Sequence, residues 1–217
     1  MGRPILLIVA VAIALGTGRA SARQATGART LDARSAITFF IADGTGDAGF
    51  RPGDRQLAQW ALEAWARSGG RRFRFEAAAE SAAVIRLYWA EANEGRYGEM
   101  RPLIVGGKPG AAVYIRPDVD SLGEDISRRA RVDPLLRDTI VYLTCVHELG
   151  HALGLMHTSD FRDIMYFFGF GGDIVEYFDR YRRQLRSRND IATVAGVSGA
   201  DISRLGVVPV GPAYILQ

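Results

Sequence analysis

Residues 146–157 read Val-His-Glu-Leu-Gly-His-Ala-Leu-Gly-Leu-Met-His. His147 and His151 are four residues apart, about 400° of rotation on an α-helix, so their rings leave nearly the same face. The surroundings predict that helix. Asp133 is a candidate cap, Pro134 occupies the favoured first position, and Gly154 is a natural stop about twenty residues on. Leu136, Ile140, Leu143 and Val146 supply apolar contact along it. Two imidazoles so placed can bind one Zn²⁺ at about 2.0–2.1 Å each, and Glu148 beside them can hold a water and take its proton. Glycine at 154 tolerates the left-handed conformation that turns the chain sharply out of the helix, so that His157 can swing back to the metal. Three histidines leave one coordination position open, as a catalytic zinc site requires.

The chain has 217 residues, and its three histidines all lie in this stretch. A single cysteine excludes an intramolecular disulfide and a multi-cysteine zinc site. Hydrophobic residues at 48% and charged residues at 24% exclude wholesale disorder. The length suits one domain able to bury a full core.

The N-terminus reads as a signal peptide over residues 1–22. Arg3 supplies the positive start, residues 5–15 form an uncharged, mostly apolar run, and Ala20-Ser21-Ala22 is a small-x-small cleavage pattern. The run is too short for a membrane span, which needs about 20 residues. Removing it takes away Arg3 and Arg19 and lowers the formal charge from +3 to +1. Nucleic acid is therefore not an expected partner, and no aromatic-basic RNA-binding motif appears. Lys108 is the only lysine among many arginines, which points to a GC-rich bacterial genome, and with the signal peptide a secreted or periplasmic protein is expected.

After a loose segment at 23–34, residues 35–217 are expected to form one domain with an extended C-terminal tail at 167–217. Strands are predicted at 36–41, 72–76, 83–89 and 111–116, and a helix at 54–68 with Leu57, Trp60, Ala61, Ala64 and Trp65 on one face. Residues 91–110, rich in glycine, are expected to be irregular, and 117–132 a loop with a short helical piece. The order implies an α+β fold: a mixed twisted sheet carrying an active-site helix and C-terminal helices.

Residues 146–157 closely resemble the metzincin zinc peptidases, whose signature is H-E-x-x-H-x-x-G-x-x-H. Asp163-Ile164-Met165-Tyr166 follows, with Met165 eight residues after His157, and that short spacing resembles matrixins most. The resemblance covers roughly residues 35–170, with its strong motifs at 147–166. It implies a metzincin-like fold, one catalytic Zn²⁺ on His147, His151 and His157, Glu148 as catalytic base, and Gly154 and Met165 as supports of the site. Met165 would form an apolar floor beneath the histidines. Some features depart from the family pattern. An astacin-type tyrosine two residues after the methionine is replaced by Phe167, so Tyr166 is not assigned as a ligand. No histidine is left for a structural zinc. The one cysteine, Cys145, lies on the active-site helix and is expected to be buried, so a pro-segment cysteine latch is not expected. Calcium is possible at Asp43, Asp47, Asp118 or Asp120, although loop aspartates are usually just solvated.

The implied activity is secreted zinc endopeptidase, with a protein or peptide substrate lying along an exposed sheet edge, placed at residues 101–116. Two alternatives are a non-catalytic binding module on the same fold and a zinc hydrolase of non-peptide acyl groups. Residues 167–172, Phe-Phe-Gly-Phe-Gly-Gly, would by resemblance wall the pocket for the residue after the scissile bond, or equally plug the core. Residues 173–188 predict a helix with Ile174, Tyr177, Phe178, Tyr181 and Leu185 as its apolar stripe. Its arginines fit either a membrane surface or a solvated face. Residues 198–201 resemble a capping box that opens a last short helix.

Overall fold

The computed structural model describes residue 31 and residues 35–70, 72–91, 97–194 and 196–205. The predicted signal peptide and the end of the tail lie outside the described residues. The strands are β1 (Ile37–Ile41), β2 (Phe75–Ala77), β3 (Ile85–Trp89), β4 (Gly98–Val105) and β5 (Lys108–Ile115). The helices are α1 (Asp54–Ser68), α2 (Glu124–Val132), α3 (Pro134–Ala152), α4 (Ile174–Arg182) and α5 (Gly199–Leu205). This is the expected α+β class. One mixed sheet runs in the order β2-β1-β3-β5-β4. Every pairing is parallel except β4 with β5.

The helix faces follow the apolar periodicity. Leu57, Ala61, Ala64 and Trp65 of α1 are buried against α3, and the Trp65 indole donates to the Val146 carbonyl at 3.0 Å. Trp60, on the predicted stripe, is only partly buried, and the Arg188 guanidinium lies over its ring at 5.0 Å. A buried ion pair also joins the two helices. Arg137 of α3 holds both carboxylate oxygens of Asp54 on α1, one at 2.8 Å, and donates to the carbonyls of Gly49 and Pro117 at 3.2 Å each. No described helix is long and apolar enough to cross a membrane.

Three expectations need correction. Residues 98–105 are not irregular: they form β4, antiparallel to β5 in the register Val105↔Lys108. Gly106 and Gly107, at φ 55° and 76°, make the two-residue hairpin turn that needs left-handed backbone at both positions. Gly98 and Pro102 mask the strand in sequence, yet proline is tolerated in an edge strand. The sheet edges are β2 and β4, so the expected edge segment 101–116 holds part of an edge strand, 101–105 of β4, but also the inner strand β5. Finally, the helix expected over 173–188 ends at Arg182, and a 3-10 turn at Arg188–Ala192 restarts the chain with a Ser187–Asp190 capping box. Leu185 stays buried even so.

Candidate metal centre

The site begins with how α3 starts and stops. Asp133 Oδ1 accepts from the amides of Leu135 and Leu136 at 3.1 Å each, capping the helix at Pro134. Nineteen residues later the helix closes in a Schellman arrangement, with the Leu155 amide donating to Gly150 O and the Gly154 amide to His151 O, both at 2.9 Å. Gly154 has φ 99°, a backbone that a side chain strains. The reversal returns His157 to the helix. Its ring centroid is 4.6 Å from that of His151 and 5.3 Å from that of His147, and those two rings are 4.8 Å apart.

Backbone carbonyls aim the two helical imidazoles. His147 Nδ1 donates to Ile164 O at 2.6 Å, and His151 Nδ1 to Leu155 O at 2.8 Å. Each bond fixes the proton on Nδ1 and leaves the Nε2 lone pair facing inward. His151 Nε2 and His157 Nε2 are 3.1 Å apart, and the ligand atoms of all three residues lie within 4.8 Å of one another. Two nitrogens about 2.0–2.1 Å from one tetrahedral ion stand about 3.3 Å apart, so this donor set fits zinc. Burial, with the charge on His151 adding, lowers the pKa of His147 to about 3, and burial lowers that of His151 too. Both are therefore neutral donors at physiological pH. Phe167 stacks on His157 at 4.7 Å and 17°.

Beneath the helix, Met165 is fully buried and lies where a Cβ on Gly150 would sit: the Met165 sulfur is 2.5 Å from that position and Trp65 Cζ2 is 3.1 Å away. The glycine inside the H-E-x-x-H stretch thus lets the methionine approach the helix between the two histidines. A second glycine bears on Glu148. Gly98, the first residue of β4, lies so close that an added Cβ would be 2.6 Å from Glu148 Oε1 and 2.8 Å from Thr144 Cγ2. A cavity of about 520 Å³ brings together His147, His151, His157 and Glu148 with apolar side chains that include Met100, Leu143, Phe168 and Phe178.

The structure thus brings His147, His151, His157, Glu148, Gly154 and Met165 to one place. Phe168 lines the cavity and also packs edge-on against Tyr177 at 5.1 Å, so it serves as wall and plug at once. Phe170 does not line it: it is 61% exposed and packs on Phe167. The Tyr166 hydroxyl donates to Gly171 O. Cys145 is buried, and burial pushes its thiol pKa well up. Among the described residues, the histidine trio is the one set of three or more His, Cys, Asp or Glu side chains that converges at ligand distance. Calcium at Asp43, Asp47, Asp118 or Asp120 is therefore unsupported; Asp43 faces Arg55 and Asp120 faces Arg131. Sequence reasoning missed Gly98, Gly150 and the carbonyls of Leu155 and Ile164. Gly150 carried the only signal, as a glycine inside a helix, where it costs about 1 kcal/mol without a packing reason.

Residues 122–174 match the family model described as Matrixin. The matched segment contains His147, Glu148, Gly150, His151, Gly154, His157 and Met165, and it supports a matrixin-like metallopeptidase. No curated protein matches the chain. Among solved structures, the crystal structure of myroilysin is similar at 17% identity and a TM-score of 0.33, covering 79% of this chain and 67% of that one.

Proposed function

We propose that the chain is a secreted zinc endopeptidase, with a signal peptide at 1–22 and one catalytic domain from residue 35 onward. The observation that carries this reading is the convergence of three imidazoles beside a buried carboxylate in one apolar cavity. His147, His151 and His157 would hold the metal. When bound, zinc would supply Lewis-acid activation of a water and of the substrate carbonyl.

This chain's residues then do the rest. Glu148 takes a proton from the attacking water and delivers it to the departing amine nitrogen. Its buried position keeps competing water away, and the close approach of Gly98 limits where the carboxylate can go. An extended peptide would add along the outer edge of β4, whose first residue touches Glu148, pairing backbone to backbone. Phe168 and the apolar lining would receive the side chain that follows the scissile bond.

The test uses the mature protein. Zinc stoichiometry is measured together with cleavage of a random peptide pool, with Glu148→Ala as control. One zinc per chain and cleavage lost in the variant are expected. Zinc without cleavage would favour a binding module on the same fold, and absence of zinc removes the reading altogether.

A further inference from the structure

The C-terminal tail exceeds what the metal centre needs by sequence, yet its last described helix makes direct contact with the loop that aims two ligands. Asp163 is buried and immediately precedes Ile164, whose carbonyl holds His147. Its carboxylate accepts from the hydroxyl of Thr158 at 2.9 Å, and Thr158 follows His157 directly. The same carboxylate oxygen is ion-paired with Arg204 of α5. Its backbone carbonyl accepts from the Tyr177 hydroxyl of α4 at 3.0 Å. One residue therefore ties together the segments that carry His147's acceptor and His157, and both helices of the tail hold that residue.

Arg204 is itself aimed. Its Nη1 reaches Asp201 Oδ1 at 3.2 Å, and Asp201 is fully buried. Asp201 Oδ2 in turn accepts from the Ser198 amide at 2.8 Å and the Ser198 hydroxyl at 2.6 Å. The guanidinium thus bridges two buried carboxylates, one set by the cap of α5 and one set in the loop below the histidines. Two buried carboxylates with a single shared cation tolerate few other arrangements, which makes the bridge a geometric constraint as well as a source of stability.

We infer that Arg204 is a positioning residue for the metal centre: through Asp163 it sets the Ile164 carbonyl that orients His147 and the Thr158 segment that returns His157. The inference rests on reading the three histidines as metal ligands. Partners of metal ligands typically contribute about 10–100-fold in metal affinity. Arg204 acts through Asp163, a step beyond the segments that hold the ligands, so a loss at the low end, about tenfold, is expected.

The experiment measures zinc affinity of the full chain by chelator competition, and the visible absorption of the cobalt(II)-substituted protein, whose bands report ligand geometry. It compares the wild type with Arg204→Met, Arg204→Lys and, as a control, Arg129→Met, which removes an ion pair to Asp179 away from the loop. Arg204→Met should bind zinc about tenfold more weakly and show a shifted cobalt spectrum. Arg204→Lys should restore both in large part, and Arg129→Met should leave both unchanged. Wild-type affinity and spectrum in folded Arg204→Met overturn the inference, as does an equal loss in Arg129→Met. If Arg204→Met does not fold, Asp201→Asn decides: it keeps the arginine and weakens what aims it, so a shifted spectrum supports the inference and an unchanged one overturns it. A wild-type chain that binds neither zinc nor cobalt refutes the metal site itself.

Discussion

Replacing Gly98 with alanine should separate catalysis from folding and from metal binding. The added Cβ would stand 2.6 Å from Glu148 Oε1, 2.9 Å from Glu148 Cγ and 2.8 Å from Thr144 Cγ2. Thr144 cannot readily rotate away, because its hydroxyl donates to Ile140 O at 2.9 Å and that bond fixes its rotamer. The adjustment therefore falls on Glu148 or on the start of β4. Overpacking of this kind costs about 1–3 kcal/mol. Alanine offsets about 0.5–1 kcal/mol of that, because it has less backbone entropy to lose than glycine. The net loss is about 0–2.5 kcal/mol, a fall in Tm of at most about 10 °C for a chain of this size. Catalysis should suffer more, since a displacement of about 1 Å at a reacting group can cost about 100-fold. None of the three histidines lies among the nearest atoms to the added Cβ, so zinc affinity should hold. The assay is kcat on a peptide substrate, with zinc stoichiometry and Tm measured on the same preparation. Wild-type kcat in the folded variant would refute the reasoning. So would loss of zinc in step with activity, because the effect would then pass through the fold.

Other predictions follow from the same geometry. Arg137→Met leaves Asp54 charged and buried without its partner, which should cost about 3–5 kcal/mol, read as a large drop in the urea midpoint; a change below about 1 kcal/mol would contradict it. With metal removed by chelator, stability should depend on pH through His147 and His151. The folded state resists protonating His147 until about pH 3, whereas the unfolded chain takes up that proton near its ordinary 6.5. Stability is then complete above about 6.5 and is lost as pH falls toward about 3, so denaturation midpoints should drop between about pH 7.5 and about 5.5, where carboxylates still hold their charge. A flat profile over that window would contradict the burial argument. Phe168→Ala should widen the cavity and shift cleavage toward larger residues after the scissile bond, while Phe170→Ala should not; product sequencing from a peptide pool checks both.

The part of the centre that local spacing controls was legible from residue order alone. The rings of His147 and His151 share a face because 3.6 residues make a turn, and His157 returns because glycine at 154 accepts a positive φ. The cap at Asp133 and the burial of Cys145 and Met165 are likewise readable from local residue types and apolar pattern. What lies against that helix is settled by packing between distant segments. β4 was hidden because its glycine and proline give no strand signal and its pairing with β5 is made by backbone without a side-chain signature, while its approach to Glu148 needs only the missing side chain of Gly98. The acceptors that aim His147 and His151 are main-chain carbonyls, which every residue possesses, so no residue type announces them. Arg204 meets Asp163 across 41 positions of chain. Such a pairing depends on where α5 docks, and docking is a property of packed surfaces that periodicity does not encode.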